Sequence, residues 1–231
     1  MVHRLTLLLM TIGAGSRTDA FAPTPLGART NSRLTESLAD GVDKTVLTQA
    51  PSDAATPQKG DRVVIDYHGT IVDRPWSPPE VVTCWLDTQQ GVDDLKQVFL
   101  EQKVDETKLL SLTEEDLRET MGVENKIKAK KLIMAVKRLQ QAQTDYPAGT
   151  VFDSSIERGE PYVFGLGQGK AIRGMDLGVA SMKVGEKSVI QCRSDAAYGS
   201  EGLRRANGDV MVPPYATLSF EVELLRIEEA S

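Results

Sequence analysis

The chain has 231 residues, 40% of them hydrophobic and 5% aromatic, with a formal net charge of −6. This is ordinary globular composition, long enough for one large or two small domains, and its acidic balance argues against nucleic acid as the main partner. Cys84 and Cys192 lie far apart and the histidines are His3 and His68 alone, so two separate buried thiols are expected rather than a disulfide, and no metal or other cofactor.

The N-terminus reads as an address. Met1 to Ala20 carries a basic start at His3 and Arg4 and an apolar core, LTLLLMTIGAG. That core is too short to span a bilayer as a stable helix, and the pattern is that of a secretory signal peptide, residues 1–20, cut before Phe21. The following stretch is hydroxylated and basic, with Arg29 and Arg33 and no acid before Glu36. A transit-like, disordered segment is therefore expected at 21–40. The AFAP junction at Ala20–Pro23 resembles the bipartite presequences of algae with complex plastids, which implies a plastid location and no membrane in the mature form. The alternative is the secretory lumen or secretion.

From residue 41 the signals are those of strands. Gly41 to Leu47 and Arg62 to Val72 are extended, β-branched runs, separated by a Pro/Ser/Ala-rich loop at 51–59. The next strand-like run begins only at Gly149. The intervening stretch of about 75 residues is too long for a structureless loop and must fold by itself. It reads as helices. Ser77-Pro78-Pro79-Glu80 has the polar cap, early proline and early acid of a helix start. Leu95, Val98 and Phe99 mark a second helix, and Leu109, Leu110 and Leu112 a third. Thr113 caps a fourth, TEEDLRETM, which Gly122 ends. Asn125 to Gln141 is the longest, with Ala129, Leu132, Ile133, Val136 and Leu139 on one face.

After the insert, Thr150, Val151 and Phe152 suit a strand that Asp153, Ser154 and Ser155 break. Tyr162 to Phe164 resume it. Ile172, Met175, Val179 and Met182 then follow at helical spacing. Phe220 alternates with Leu218, Val222 and Leu224 on a last strand.

The run TVFDSSIERGEPYVFGLGQGKAIRGMD, with VVIDYHG before it and MKVGE, DAAYG and VPPYATLSFEVELL after it, resembles the FKBP family of prolyl isomerases. Five motifs in family order make a specific signal. Trp76, Val82, Trp85-Leu86, LLSLTEEDL, MGV and KAKKLIMAV in the insert resemble a sterile alpha motif (SAM) domain; both tryptophans read as its core. The resemblances imply an α+β protein: an antiparallel sheet wrapped around a short helix, at 41–73 and 147–231, interrupted by an all-α five-helix bundle at 74–146. A hairpin tip is a physically sensible place for such an insertion, and deletion of 75–146 is expected to leave a folded isomerase.

The FKBP resemblance implies a peptidyl-prolyl cis–trans isomerase acting on proline-containing polypeptides, with catalytic residues Tyr67, Phe152, Asp153, Tyr198 and Phe220. Substrate contacts are implied for Arg158, Tyr162, Ala171, Ile172, Met175 and Val212. Arg158 is the expected partner of Asp153, while the Tyr198 hydroxyl and the Ile172 amide are expected to donate to substrate carbonyls. Phe164 reads as plain core. A tacrolimus- or rapamycin-type ligand is also implied, but Met175 stands where the family often has tryptophan, Ala171 replaces a larger aliphatic residue, and the loop from Tyr198 to Val212 is long. The SAM resemblance implies self-association or a SAM-containing partner, through Lys126, Lys128, Lys130 and Lys131 against acidic earlier segments. The competing reading is a non-catalytic adaptor assembled through the insert.

Overall fold

The computed structural model describes residues 35–228. The expected signal peptide and residues 21–34 of the transit-like segment lie outside them. Residues 35–39, expected to be disordered, instead form a strand, so the sheet domain starts earlier than residue 41. No helix among the described residues is long and apolar enough to cross a membrane.

One antiparallel sheet is built from the two segments that flank the insert. Its order is β1 (Thr35–Ala39), β2 (Val42–Thr48), β6 (Lys187–Cys192), β9 (Thr217–Glu228), β3 (Arg62–Val72) and β4 (Val151–Ser154), with β5 (Tyr162–Gly165) sharing the outer edge of β3. The register of β3 with β9 sets Tyr67 opposite Val222 and Gly69 opposite Phe220. Alternation on β9 buries Leu218, Phe220, Val222 and Leu224 and leaves Glu221 in solvent, as a sheet with one packed face requires. A short helix, Arg173–Ala180, covers that face. It lies so close to β6 that a Cβ on Gly174 would stand 2.1 Å from the Cys192 sulfur and one on Gly178 2.2 Å from Ile190. Two glycines thus set the depth at which this helix packs.

The insert leaves β3 and returns to β4, its antiparallel neighbour. Its first helical stretch starts as an α-helix at Pro78–Glu80, widens to a π turn over Val81–Trp85 and tightens at Leu86–Thr88. The Glu80 carboxylate takes the Ser77 amide at 2.8 Å, the backward arm of a capping box. A second stretch covers Asp93–Leu95 and Lys96–Glu101, a third Glu106–Ser111. Thr113 and Asp116 cap the next reciprocally, and Gly122, at φ +70°, closes it. The last helix, Lys126–Asp145, is capped by the Asn125 side chain and buries Ala129, Leu132, Val136 and Leu139. Trp76 and Trp85 are both core residues of this bundle. Cys84 and Cys192 are free and buried in different cores; burial pushes their thiols up to about 11 and about 12.

The loop before β9 is built from a small hairpin, β7 (Leu203–Arg204) with β8 (Val210–Val212), followed by Pro213, Pro214 and Tyr215.

Candidate active site

The sheet's covered face ends in a cluster of aromatic rings. Tyr67 on β3 meets Tyr162 on β5 edge to face at 6.0 Å and Phe220 on β9 at 6.1 Å. Phe152 on β4 stands perpendicular to Phe220 at 5.5 Å. Such T-shaped contacts add about 0.5–1.5 kcal/mol each beyond area burial. The position between Tyr67 and Ile71 on β3 is Gly69, and this is what admits Phe152: a Cβ there would stand 2.7 Å from the Phe152 ring. Phe164 stacks behind Tyr162 at 5.2 Å and is buried in the core.

Met175 and Val212 are buried in the same cluster, and Tyr162, Ala171, Ile172 and Tyr198 pack half-buried against it. Ile172 is the N-cap of the covering helix, with an extended backbone; its amide donates to no described backbone oxygen. Burial raises the pKa of Tyr198.

Asp153 and Arg158 supply the polar edge. The Tyr67 hydroxyl donates to Asp153 Oδ2, and Arg158 donates to Asp153 Oδ1. The Ser154 amide also donates to Oδ1, at 2.9 Å. Arg158 Nη2 lies 3.3 Å from the Tyr67 hydroxyl and its guanidinium carbon 5.7 Å from the Tyr67 ring centre. Burial, and then the bond to Asp153, push the Tyr67 hydroxyl up to about 12, so it is a proton donor at any physiological pH. Both oxygens of Asp153 accept hydrogen bonds, and through them the carboxylate orients Tyr67 and Arg158.

Of the eleven residues singled out from the sequence, nine lie in or against the core of the sheet domain, and Asp153 and Arg158 are bonded to Tyr67 at its edge. Ser155 was missed. It is fully buried, and its hydroxyl accepts the Tyr67 amide at 2.8 Å and donates to Asp66 at 2.9 Å, which fixes the backbone beneath Tyr67. The sequence signal was the second serine of Asp153-Ser154-Ser155, which had been read only as a strand breaker.

Comparison with known proteins finds two families in the chain. A family model for FKBP-type peptidyl-prolyl cis-trans isomerases matches residues 134–225, and one for the SAM domain (sterile alpha motif) matches 74–140. β3, with Tyr67, falls outside the first match because the insert separates it from the rest. The chain is 54% identical over 77 residues to FK506-binding protein 1 of Dictyostelium discoideum, covering 33% of this chain and 67% of that protein. It is 46% identical over 80 residues to the peptidyl-prolyl cis-trans isomerase Fkbp12 of Drosophila melanogaster, covering 35% and 69%. The N-terminal domain of FKBP42 from Arabidopsis thaliana is a structural neighbour at 19% identity and a TM-score of 0.45, covering 85% of this chain and 93% of that one.

Proposed function

Since the chain belongs to the family of FKBP-type peptidyl-prolyl cis-trans isomerases and carries a SAM domain, we propose that it accelerates rotation about X–Pro bonds in protein substrates through the aromatic site around Tyr67. The X–Pro bond is held planar by a barrier of about 18–20 kcal/mol. The planar amide is polar through resonance, and the twisted transition state loses that resonance. A dry wall of Phe152, Tyr162, Phe220 and Met175 favours the twisted form over the planar one, with no nucleophile involved. The Ile172 amide and the Tyr198 hydroxyl orient the substrate carbonyls.

The observation that carries this reading is the Tyr67–Asp153–Arg158 network set at the edge of an otherwise apolar ring cluster. Catalysis is favoured over the adaptor reading because relatives that match this half of the chain are named peptidyl-prolyl cis-trans isomerases. The test is an X–Pro peptide isomerisation assay on residues 35–231. Acceleration is expected; a rate equal to background would leave the adaptor. A tacrolimus-type ligand should bind more weakly than to relatives with a ring at the position of Met175, since methionine offers a softer, smaller floor.

For the SAM domain we propose head-to-tail association. Lys126, Lys130 and Lys131 crowd the start of the last helix, while Glu101, Asp105, Glu114 and Glu115 lie on earlier segments. Lys128, also expected to serve, pairs instead with Asp94 of its own domain. Unlike patches on one domain build open chains or rings. Sedimentation velocity at low salt tests it, with Lys126→Glu plus Lys130→Glu expected to reduce association. The presequence reading places the protein in a plastid, and N-terminal sequencing of the native protein checks that.

A further inference from the structure

Two tyrosines are exchanged between the insert and the sheet domain. Tyr146 ends the last SAM helix, yet packs against the core of the sheet domain, and its hydroxyl reaches the Val210 carbonyl at 3.5 Å. Tyr215 follows β8 in the sheet domain, yet packs against the core of the SAM bundle. Its ring meets Trp76 edge to face at 6.2 Å. Its hydroxyl shares a hydrogen bond with Thr88 at 2.7 Å and accepts from Gln89 at 3.1 Å. Its backbone is held in the left-handed region at φ +64°, which a bulky side chain adopts only when its surroundings fix it.

Between these two contacts lies Val212, a wall of the pocket. The Tyr215 amide donates to Gly199 at 2.9 Å, next to Tyr198. The strand that carries one pocket wall and the turn that carries a pocket hydroxyl are thus tied at Tyr215. The joint is otherwise loosely filled: a cavity of about 400 Å³ lies beside both rings, lined among others by Trp76, Glu106, Tyr146, Pro213 and Tyr215.

We propose that Tyr146 and Tyr215 are positioning residues through which the SAM insert fixes the 203–215 segment over the isomerase pocket and so sets which residues flanking proline are accepted. This rests on the isomerase reading above, and extends it: the insert becomes part of substrate selection, not only a means of association.

The experiment uses residues 35–231 as wild type, Tyr146→Ala/Tyr215→Ala, Tyr215→Phe, and Lys137→Ala as a control on an exposed position. Amide hydrogen exchange and isomerisation of a peptide series varied at the residue before proline are measured on each. In the double variant, exchange of 203–212 should rise by about tenfold or more while β3 and β9 stay protected. KM should rise with kcat within about twofold, and the preference order across the series should flatten. Tyr215→Phe keeps the ring on Trp76 and should recover much of the wild-type pattern. Unchanged exchange at 203–212 in the double variant, or an unchanged preference order, overturns the proposal. Loss of protection in β3 and β9 as well would assign the tyrosines to global stability and overturn it too. If the wild type fails to accelerate any peptide, the isomerase reading falls separately, and exchange alone decides the tyrosine joint.

Discussion

The sheet domain holds two arginine–carboxylate clusters that use the same chemistry in opposite settings. Arg158 reaches Asp153 at the edge of the pocket, with its side chain 44% exposed. Arg193 lies at the root of the insert with 3% exposed, and it binds three carboxylates: Asp195 from Nε and Nη2 at 2.8 Å each, Asp40 at 2.9 Å and Glu80 of the insert at 2.8 Å. Arg74, in the chain leaving β3, adds a bond to Glu80 at 3.0 Å and a looser ion pair with Asp43 at 3.8 Å. An exposed pair is weak and free to exchange partners with a substrate. A buried, fully bonded guanidinium is worth little against an apolar replacement but costs heavily to break, because its carboxylates are left uncompensated. The pocket arginine is placed to respond, the joint arginine to stay.

The largest effect that would test this contrast is at the joint. Arg193→Ala takes from Glu80, 16% exposed, one of its two cations and from Asp195 its double bond, and should cost about 3 kcal/mol of folding stability, the low end for a broken buried pair because Arg74 and Ser77 still meet Glu80. Urea denaturation measures it. A loss under about 1 kcal/mol would mean that the joint is solvated and the contrast false. The same cluster changes the expectation for deleting 75–146. The two cores are separate, but the deletion also strips Arg193 of Glu80 and leaves Tyr215 without Trp76.

A second, smaller effect is set by pH. Burial works to raise the Glu80 pKa, but the Ser77 amide, Arg193, the Ser77 hydroxyl and Arg74 outweigh it and hold it at about 2. A depressed carboxylate stabilises the fold above its unfolded value and loses that contribution as pH falls towards the folded one. Between about pH 4.5 and pH 2 the wild type should therefore lose about 2–3 kcal/mol that Glu80→Gln does not. Parallel stability curves for the two proteins would remove Glu80 from the joint.

The aromatic cluster was legible in the sequence and the joint was not. Tyr67, Phe152 and Phe220 were brought together by the resemblance of VVIDYHG, TVFD and LSFEVELL to the FKBP family, and alternation with Leu218, Val222 and Leu224 gave the face of Phe220. Arg193 follows the last residue of β6, where alternation ends, and nothing in QCRSDAAYG says that it turns inward. Tyr146 and Tyr215 lie just beyond a helix and a hairpin. Whether a loop aromatic packs on its own core or its neighbour's is decided by tertiary contacts alone, and Tyr215 read only as one letter of the VPPYATLSF run. The strand Thr35–Ala39 was missed because it is short, polar and at the sheet edge, where polar residues guard against pairing with other chains.

The third test returns to the pocket. Tyr67→Phe removes the hydroxyl that Asp153 receives and keeps the ring contacts to Tyr162 and Phe220. One hydrogen bond to a charged group at a partly exposed edge is worth about 1–2 kcal/mol. A fall in kcat/KM of about tenfold is therefore expected in the X–Pro assay, with the fold intact by circular dichroism. Full activity would show that the apolar walls suffice and that the Tyr67–Asp153 bond serves only structure.

The smallest effect is the sharpest check of the opening contrast, because it applies one substitution to both arginines. Arg158→Gln leaves Asp153 with the Tyr67 hydroxyl and the Ser154 amide as donors, and with water at a site that is 30% exposed. The lost ion pair should cost no more than about 1 kcal/mol of stability, and that loss should shrink in high salt, where exposed charges are screened over a few ångströms. Arg193→Gln differs at Glu80: Asp40 and Asp195, 84% and 35% exposed, can turn to water, but Glu80 is 16% exposed and a neutral amide does not replace the cation there, so the cost should be larger and depend less on salt. Equal costs for the two glutamine variants, or equal salt dependence, would mean that both arginines occupy the same electrostatic environment, and that burial at the joint does not distinguish a fixed hinge point from a responsive pocket edge.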